Sequence, residues 1–242
     1  MAHRKPKVSK APVEAPSLNR IIGALPRAEL DRVTADLEHF PLPMYTVLYE
    51  AGETMEYVYF PTSGCVSMVN VLEDGSVEVG TIGFEGFTGL PILLHDDQMP
   101  TRALVQLAGA SYRMDAASFR TSLDRNPVLA RLAARHSLAL FNQVAQSVAC
   151  NRLHTLEARC ARWLLMTHDR MLEQPFTLTH EFLSYMLGVH RPAVTLAAGV
   201  LQRAGLIRYT RGVITITDRP GLESVACACY EITRRNYQRL DG

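Results

Sequence analysis

The first half of the chain alternates between apolar and polar positions with a period of two. The clearest run consists of Val66, Met68, Asn70 and Leu72. Asp74-Gly75 follows at the place of a tight hairpin turn. Further short apolar runs are separated by glycines, which are Gly52, Gly64, Gly75 and Gly83. Short strands at this spacing predict a small antiparallel roll over residues 17–126, rather than a parallel sheet.

The residues before this region predict little regular structure. Residues 1–16 are rich in Lys, Pro and Ala and lack bulky apolar side chains, so we expect a disordered basic tail. A short helix is predicted around Leu30–Leu37. Neither a membrane-spanning run nor an apolar signal-peptide core is apparent, and five scattered cysteines suit reduced thiols. These features together predict a cytoplasmic protein.

After Pro127 the apolar period changes to that of a helix, over residues 127–154. One stripe carries Leu129, Leu132, Ala133, His136, Leu140, Val144, Ser147 and Val148. The predicted helix exceeds the usual length of about 11–12 residues. It can pack on its own β domain, or on the same helix of a second subunit. For a dimer, the predicted interface is Leu132, His136, Leu140, Val144 and Val148.

The last third, residues 155–242, predicts a winged helix-turn-helix domain. An amphipathic helix over Leu156–Met171 is followed by a second helix that starts at the cap Thr179 and ends at Gly188. A third helix begins near Pro192 and buries Val194, Ala197, Ala198 and Leu201. The sequence GLIRYTRGVITITD, residues 205–218, then predicts a two-stranded wing around Arg211-Gly212.

The opposite face of the third helix fits a surface that reads a DNA groove. Arg191 is predicted to contact guanine, Thr195 or Leu196 a thymine methyl group, and His190 and Arg203 phosphate. The full predicted DNA-contacting set is Thr179, His190, Arg191, Pro192, Thr195, Leu196, Gly199, Arg203 and Arg211. A helix-turn-helix pattern alone also fits any compact helical bundle, so the wing strengthens the prediction.

Charge supports this assignment. Residues 17–150 have a net charge of −6, whereas residues 151–242 have a net charge of +4 that is carried entirely by arginine. Arginine is well shaped for bidentate contacts with phosphate and guanine. Enzyme motifs are absent, and Glu85, Asp96 and Asp97 are expected on a solvated loop. Cys227 and Cys229 form a C-x-C pair that we interpret as structural, and no metal is predicted.

The order of these parts resembles the Crp/Fnr family of bacterial transcription regulators. The resemblance rests on AGE at 51–53, VYFPTSG at 58–64, EDGSVEVGTIGFEGFTG, the long helix and LGVHRPAVTLAAGVLQRAGLI with its wing, and covers about residues 20–220. It implies an α+β protein with a cyclic-nucleotide-binding-like β-roll, a dimerisation helix and a winged helix-turn-helix. It also implies a homodimer on a near-palindromic DNA site, with half-sites about 34 Å apart, and RNA polymerase as a partner.

The chain departs from the family where the effector would bind. The resemblance aligns the effector pocket with Gly89, Leu90, Thr101, Arg102, Val144 and Ala145. The ribose-binding acid is missing, and Arg102 is displaced by one position, which on a strand turns a side chain to the other face. Residues 1–64 contain no cysteine for an iron–sulfur cluster. We therefore predict no cofactor and no dependence on cyclic AMP.

Two further points stay open. In the third helix only Arg191 matches the family's base-reading arginine, whereas Pro192 and Leu196 replace polar readers, so the operator is not predicted. The alternative function is an effector-binding signalling module whose C-terminal helices dock a protein partner. Steep salt dependence of binding to random duplex DNA would distinguish the two, because phosphate contacts release counterions.

Overall fold

A computed structural model describes residues 19–171 and 175–239, so the predicted tail at residues 1–16 lies outside the described part. The N-terminal elements are α1 (Arg20–Gly23), α2 (Arg27–Thr34), β1 (Glu38–Leu42), β2 (Val47–Tyr49), β3 (Tyr57–Pro61), β4 (Cys65–Leu72), β5 (Gly75–Ile82), α3 (Leu90–Leu93), β6 (Arg102–Leu107), β7 (Gly109–Asp115) and α4 (Ala116–Arg125). The predicted helix around Leu30–Leu37 thus begins and ends three residues earlier.

The strands form the antiparallel roll that the period-two pattern predicts. One sheet has the order β1-β7-β3 and the other β2-β6-β4-β5, and every pairing is antiparallel. Apolar side chains from both sheets share one core, for example Val58 and Phe60 with Val66 and Val105. The hairpin turn between β4 and β5 is at Glu73-Asp74, one residue before its predicted place.

The long helix α5 spans Pro127–Leu153, close to its predicted bounds. Its inner face packs on the roll: Leu132 joins the core of the roll, and Leu140 packs with Met68 and Ile82. His136 lies against Gly86, where an added Cβ would come within 1.9 Å of the imidazole ring. Only glycine therefore allows this close approach of loop and helix.

These contacts correct the predicted dimer interface. Leu132, His136 and Leu140 are buried within their own chain, so the prediction that they form the intersubunit seam is wrong. Val144 is half-buried against Gly80, whereas Val148 is exposed. The predicted apolar repeat is present in α5, but its residues lie on the face that the roll covers.

The C-terminal elements are α6 (Leu156–Arg170), β8 (Phe176–Thr177), α7 (His180–Leu187), α8 (Arg191–Arg203), β9 (Ile207–Thr210), β10 (Val213–Ile216), α9 (Arg219–Val225) and α10 (Cys229–Gln238). The three strands form one antiparallel sheet in the order β8-β10-β9. Helices α6, α7 and α8 and the two wing strands agree with the sequence pattern. Strand β8 and helices α9 and α10 were not predicted.

Helix α10 returns along α5 in the antiparallel direction. Near one end Gln146 donates a hydrogen bond to the sulfur of Cys229, and near the other the ring of His136 contacts that of Tyr237. The last helix therefore joins the DNA-binding part of the chain to the long helix.

The C-terminal helices also pack directly on the roll. Arg170 of α6 and Glu85 of the roll form a buried ion pair at 2.6 Å. The indole of Trp163 donates a hydrogen bond of 2.9 Å to Glu78 of β5. Leu107 and Val69 of the roll share one core with the residues of α6, α7 and α8. Roll and helix-turn-helix are thus in contact within one chain.

Within residues 19–171 and 175–239, we find no helix that is long and apolar enough to cross a membrane.

Candidate nucleic-acid interface

Helices α7 and α8 cross through a tight turn at Gly188. The Thr179 hydroxyl caps α7 by accepting a hydrogen bond from the Phe182 N–H at 3.1 Å. Gly188 ends the helix in the left-handed conformation with φ of 62°. This conformation favours glycine, and it lets Val189 pack at the edge of the domain core.

Helix α8 separates its buried and exposed faces as predicted. Val194, Ala197, Ala198 and Leu201 are all buried. The exposed predicted contacts on or beside this helix are His190, Arg191, Pro192, Thr195, Leu196 and Arg203. Gly199 is half-buried, and an added Cβ there would approach the Arg203 guanidinium at 3.3 Å. The helix therefore keeps most of its predicted DNA-contacting residues accessible to solvent.

His180 fixes this surface from the first turn of α7. Its Nδ1 lies 3.0 Å from the Thr195 hydroxyl, and its ring stacks on Tyr209 at 4.5 Å. The Thr195 hydroxyl also donates to the Arg191 carbonyl at 3.2 Å. The Thr195 hydroxyl therefore has two partners within the domain. Sequence reasoning missed His180, because its partners are 15 and 29 residues away.

The wing is attached to α8 at its base. The Tyr209 N–H donates to the Gln202 side chain at 2.8 Å, and the Tyr209 hydroxyl donates to the Leu178 carbonyl at 3.0 Å. The wing tip is Arg211-Gly212, as predicted, and both residues have positive φ. Arg211 is exposed at this tip.

The exposed surface is strongly basic. Arg191 and Arg203 lie at the two ends of α8, while Arg208 and Arg211 lie on the wing, and all four are exposed. Thr179 is exposed as well, at the start of α7. Cations spaced over a protruding helix and a wing match the electrostatic footprint of a protein that binds the phosphate backbone.

Two family matches cover the two halves of this architecture. Residues 158–225 match the Crp-like helix-turn-helix domain, and residues 41–126 match the cyclic nucleotide-binding domain. The chain belongs to the Crp/Fnr family of transcription regulators. As a member of that family it is a DNA-binding regulator, and the match over α6 to α9 contains the whole helix-turn-helix and its wing.

Individual transcription regulators are similar to this chain over most of its length. The HTH-type transcriptional regulator Cmr of Mycobacterium tuberculosis (strain CDC 1551 / Oshkosh) is 26% identical over 198 residues, which are 74% of this chain and 72% of Cmr. A Crp/Fnr regulator from Eubacterium rectale has a TM-score of 0.66 at 17% identity, over 86% of this chain and 98% of its own. The c-di-GMP responsive regulator CLP of Xanthomonas campestris has a TM-score of 0.63 at 16% identity, over 79% and 99%.

The residues aligned with the Crp/Fnr effector pocket form no cation-lined cradle. Arg102 is half-buried and forms an ion pair with Glu50 at 2.7 Å, whereas its neighbour Ala103 is fully buried in the roll core. Gly89 precedes α3, Leu90 begins it, and Thr101 is buried. The long helix contributes Val144, packed on β5, and Ala145, which is exposed.

The structure brings together one group that sequence reasoning did not. Cys227 and Cys229, interpreted as a structural pair, lie beside Cys150, in the last turn of the long helix, and His154, which directly follows this helix. The missed signal is the spacing of Cys150 and His154, four residues apart at the end of a helix. Their partners follow more than 70 residues later, so only the fold reveals the group.

Proposed function

We propose that this regulator acts as a homodimer in the cytoplasm, with the two α8 helices in successive major grooves of a near-palindromic DNA site. The observation that carries this proposal is the exposed face of α8, flanked by arginines at both ends and on the wing. In this arrangement the helix reads base edges and the wing contacts the phosphate backbone. The protein acts by binding, with RNA polymerase as its partner at promoters.

A second surface supports the dimer. On the outer face of α5, Leu138, Phe141 and Val148 are 61%, 66% and 68% exposed. Together with Ala134, Ala145 and Arg152, they follow the alternating four- and three-residue spacing of a coiled-coil seam. We propose this stripe as the dimer seam, in place of the buried residues predicted from the sequence; Val148 belongs to both sets.

We also propose that DNA binding does not require cyclic AMP. Support comes from Arg102, which is paired with Glu50, and from the buried Ala103 next to it. CLP, which is described as c-di-GMP responsive, has the same fold, so the fold alone does not select cyclic AMP. The effector, if this protein uses one, is then a different molecule.

Selection of bound fragments from a pool of random duplex DNA tests the proposed binding mode. We expect enriched sites with two inverted half-sites whose centres are one helical turn, about 34 Å, apart. A single half-site, or no enrichment over the starting pool, would contradict the dimeric reading mode. Binding to an enriched site should weaken steeply as salt is raised, because phosphate contacts displace counterions.

A further inference from the structure

Four side chains of metal-binding type meet where α5 ends and α10 begins. Cys150 lies in the last turn of α5 and His154 directly follows this helix, while Cys227 precedes α10 and Cys229 begins it. One ligand atom from each residue lies within 4.8 Å of all the others. Within the described part of the chain, no other three His, Cys, Asp or Glu residues form such a group.

The local structure explains why these side chains converge. His154 caps α5, and its backbone N–H donates a hydrogen bond of 3.1 Å to the Cys150 carbonyl, which holds the two residues one helical turn apart. The antiparallel packing of α10 on α5 delivers the C-x-C pair to the same place. The three cysteines are buried, with Ala158 of α6 packed against them. Three helices thus enclose the group, and only His154 is partly exposed.

The distances fit a single tetrahedral ion. Zn–S bonds of about 2.3 Å place thiolates of a tetrahedron roughly 3.8 Å apart, and the shorter Zn–N bond gives somewhat less. The sulfurs of Cys150 and Cys227 are 3.4 Å apart, and His154 Nδ1 is 3.5 Å from the Cys229 sulfur. A disulfide requires about 2.05 Å, and all the cysteines are free.

The surroundings offer positive charge to a thiolate-rich site. Arg162 interacts electrostatically with Cys150. Gln146 donates a 3.0 Å hydrogen bond to the Cys229 sulfur. Arg159 interacts electrostatically with Cys150 and Cys227. Three thiolates, one imidazole and one Zn²⁺ carry a net charge of −1, which these arginines offset.

We propose that Cys150, His154, Cys227 and Cys229 bind one Zn²⁺ ion in a closed structural site. Soft thiolate and imidazole ligands suit Zn²⁺, and four protein ligands leave no open position for a substrate. Each thiol that binds the metal releases its proton to solvent. The ion then links the end of the long helix to the last helix, so it fixes the C-terminal helices relative to α5.

Metal analysis of the full-length, untagged protein tests this proposal. Purified without chelator, it should contain about one zinc ion per chain, and Co²⁺ should replace it with the intense visible bands of a tetrahedral thiolate site. Cys150→Ala and His154→Ala should lose the metal. His154→Cys should retain it and shift the cobalt bands, because four thiolates replace three thiolates and an imidazole.

The matched control is Cys160→Ala, since Cys160 and Cys150 are both fully buried on helices. This variant should keep one zinc ion. Wild-type protein that neither contains zinc nor takes up Zn²⁺ or Co²⁺ would overturn the proposal. So would zinc retained by both Cys150→Ala and His154→Ala, a Cys150–Cys227 disulfide in the purified protein, or iron and sulfide in place of zinc. The wild-type and His154→Cys measurements decide the question even if an alanine variant does not fold.

Discussion

At the scale of single residues, Arg191 is the residue that we propose to read a base. It begins α8, is exposed, and lies on the same protruding end of the helix as His190 and Pro192. None of the ion pairs found among the described residues involves Arg191. An exposed guanidinium at the start of a recognition helix can donate two parallel hydrogen bonds to guanine.

Replacing Arg191 with Ala should cost about 1–3 kcal/mol of binding to a selected operator while leaving binding to random DNA nearly intact. Fluorescence anisotropy with both duplexes at one salt concentration measures the two affinities. Arg203→Ala provides the comparison, because a phosphate contact should weaken both affinities to a similar extent. Equal loss on both duplexes for Arg191→Ala would make this residue a phosphate contact too.

Glu78 is a second residue with an unusual environment, at the contact between roll and helix-turn-helix. Its carboxylate accepts hydrogen bonds from Ser67 at 2.6 Å and from the Trp163 indole at 2.9 Å. Burial raises the pKa of Glu78 to about 7, although these hydrogen bonds act in the opposite direction. The folded protein therefore keeps Glu78 protonated up to about pH 7, whereas the unfolded chain releases this proton near pH 4.5.

From this difference we expect Glu78 to make the free energy of unfolding depend on pH. Because folded Glu78 binds its proton more tightly than unfolded Glu78, the stabilisation is fully present below pH 4.5 and is lost as the pH rises through about 7. Glu78→Gln, which imitates the neutral acid, should remove this part of the pH dependence and raise the melting temperature at pH 8 relative to wild type. Thermal unfolding between pH 4.5 and 8 measures it, with the exposed Glu73→Gln as control. An unchanged pH dependence would show that Glu78 is ionised in the folded protein throughout.

Residues whose role follows from local periodicity could be predicted, and residues paired through the fold could not. The buried set of α8, including Val194 and Leu201, follows from the helical repeat, and Gly188 from the conformation it must adopt. His180 with Tyr209 depends on two segments that are distant in sequence. The same is true of Cys150 with Cys227. Neither pair leaves a local pattern.

At the scale of elements, α5 shows how a correct pattern can be assigned to the wrong partner. Its inner face, with Leu140, packs on the roll, and a second face, with Gln146, contacts α10. The outer face carries Leu138 and Phe141, both exposed. Because α5 is apolar on more than one side, its apolar repeat alone does not tell which side faces a second subunit. The exposed fractions of Leu138 and Phe141 are the basis for the seam proposed above.

Charging the outer face of α5 should separate the subunits. Leu138→Glu and Phe141→Glu each place carboxylates opposite each other in the proposed seam, and an unpaired buried charge is costly. We expect sedimentation velocity to show monomers with wild-type circular dichroism, and weaker binding to the full operator. Leu94→Glu is the control, since Leu94 is similarly exposed but lies after α3. A dimer that persists in both seam variants would contradict this placement.

At the scale of the whole molecule, the roll, α5 and the C-terminal helices contact one another within one chain. The roll meets the helix-turn-helix at Glu78 and Trp163, and Gly188 between α7 and α8 packs on Val77 of the roll. The buried pair of Glu85 and Arg170 adds a further link between roll and α6. The roll therefore directly contacts the turn that leads into α8. A molecule that regulates DNA binding from the roll would have to act through these contacts.

Cyclic AMP should not be that molecule. Its phosphate, buried in the roll, needs a cation, because an unpaired buried charge is costly. The candidate, Arg102, is held by Glu50 at 2.7 Å, and its strand neighbour Ala103 occupies the inward position. Leu90 offers no carboxylate for the ribose hydroxyl, and Ala145 is exposed on the outer face of α5.

Isothermal titration calorimetry of the purified protein with cyclic AMP should therefore show no binding at micromolar concentrations, and operator affinity should be the same with and without the nucleotide. Glu50→Ala, which releases Arg102, tests whether the ion pair with Glu50 keeps this cation from the phosphate of cyclic AMP. Micromolar binding of cyclic AMP by the wild type, together with tighter operator binding, would refute the prediction.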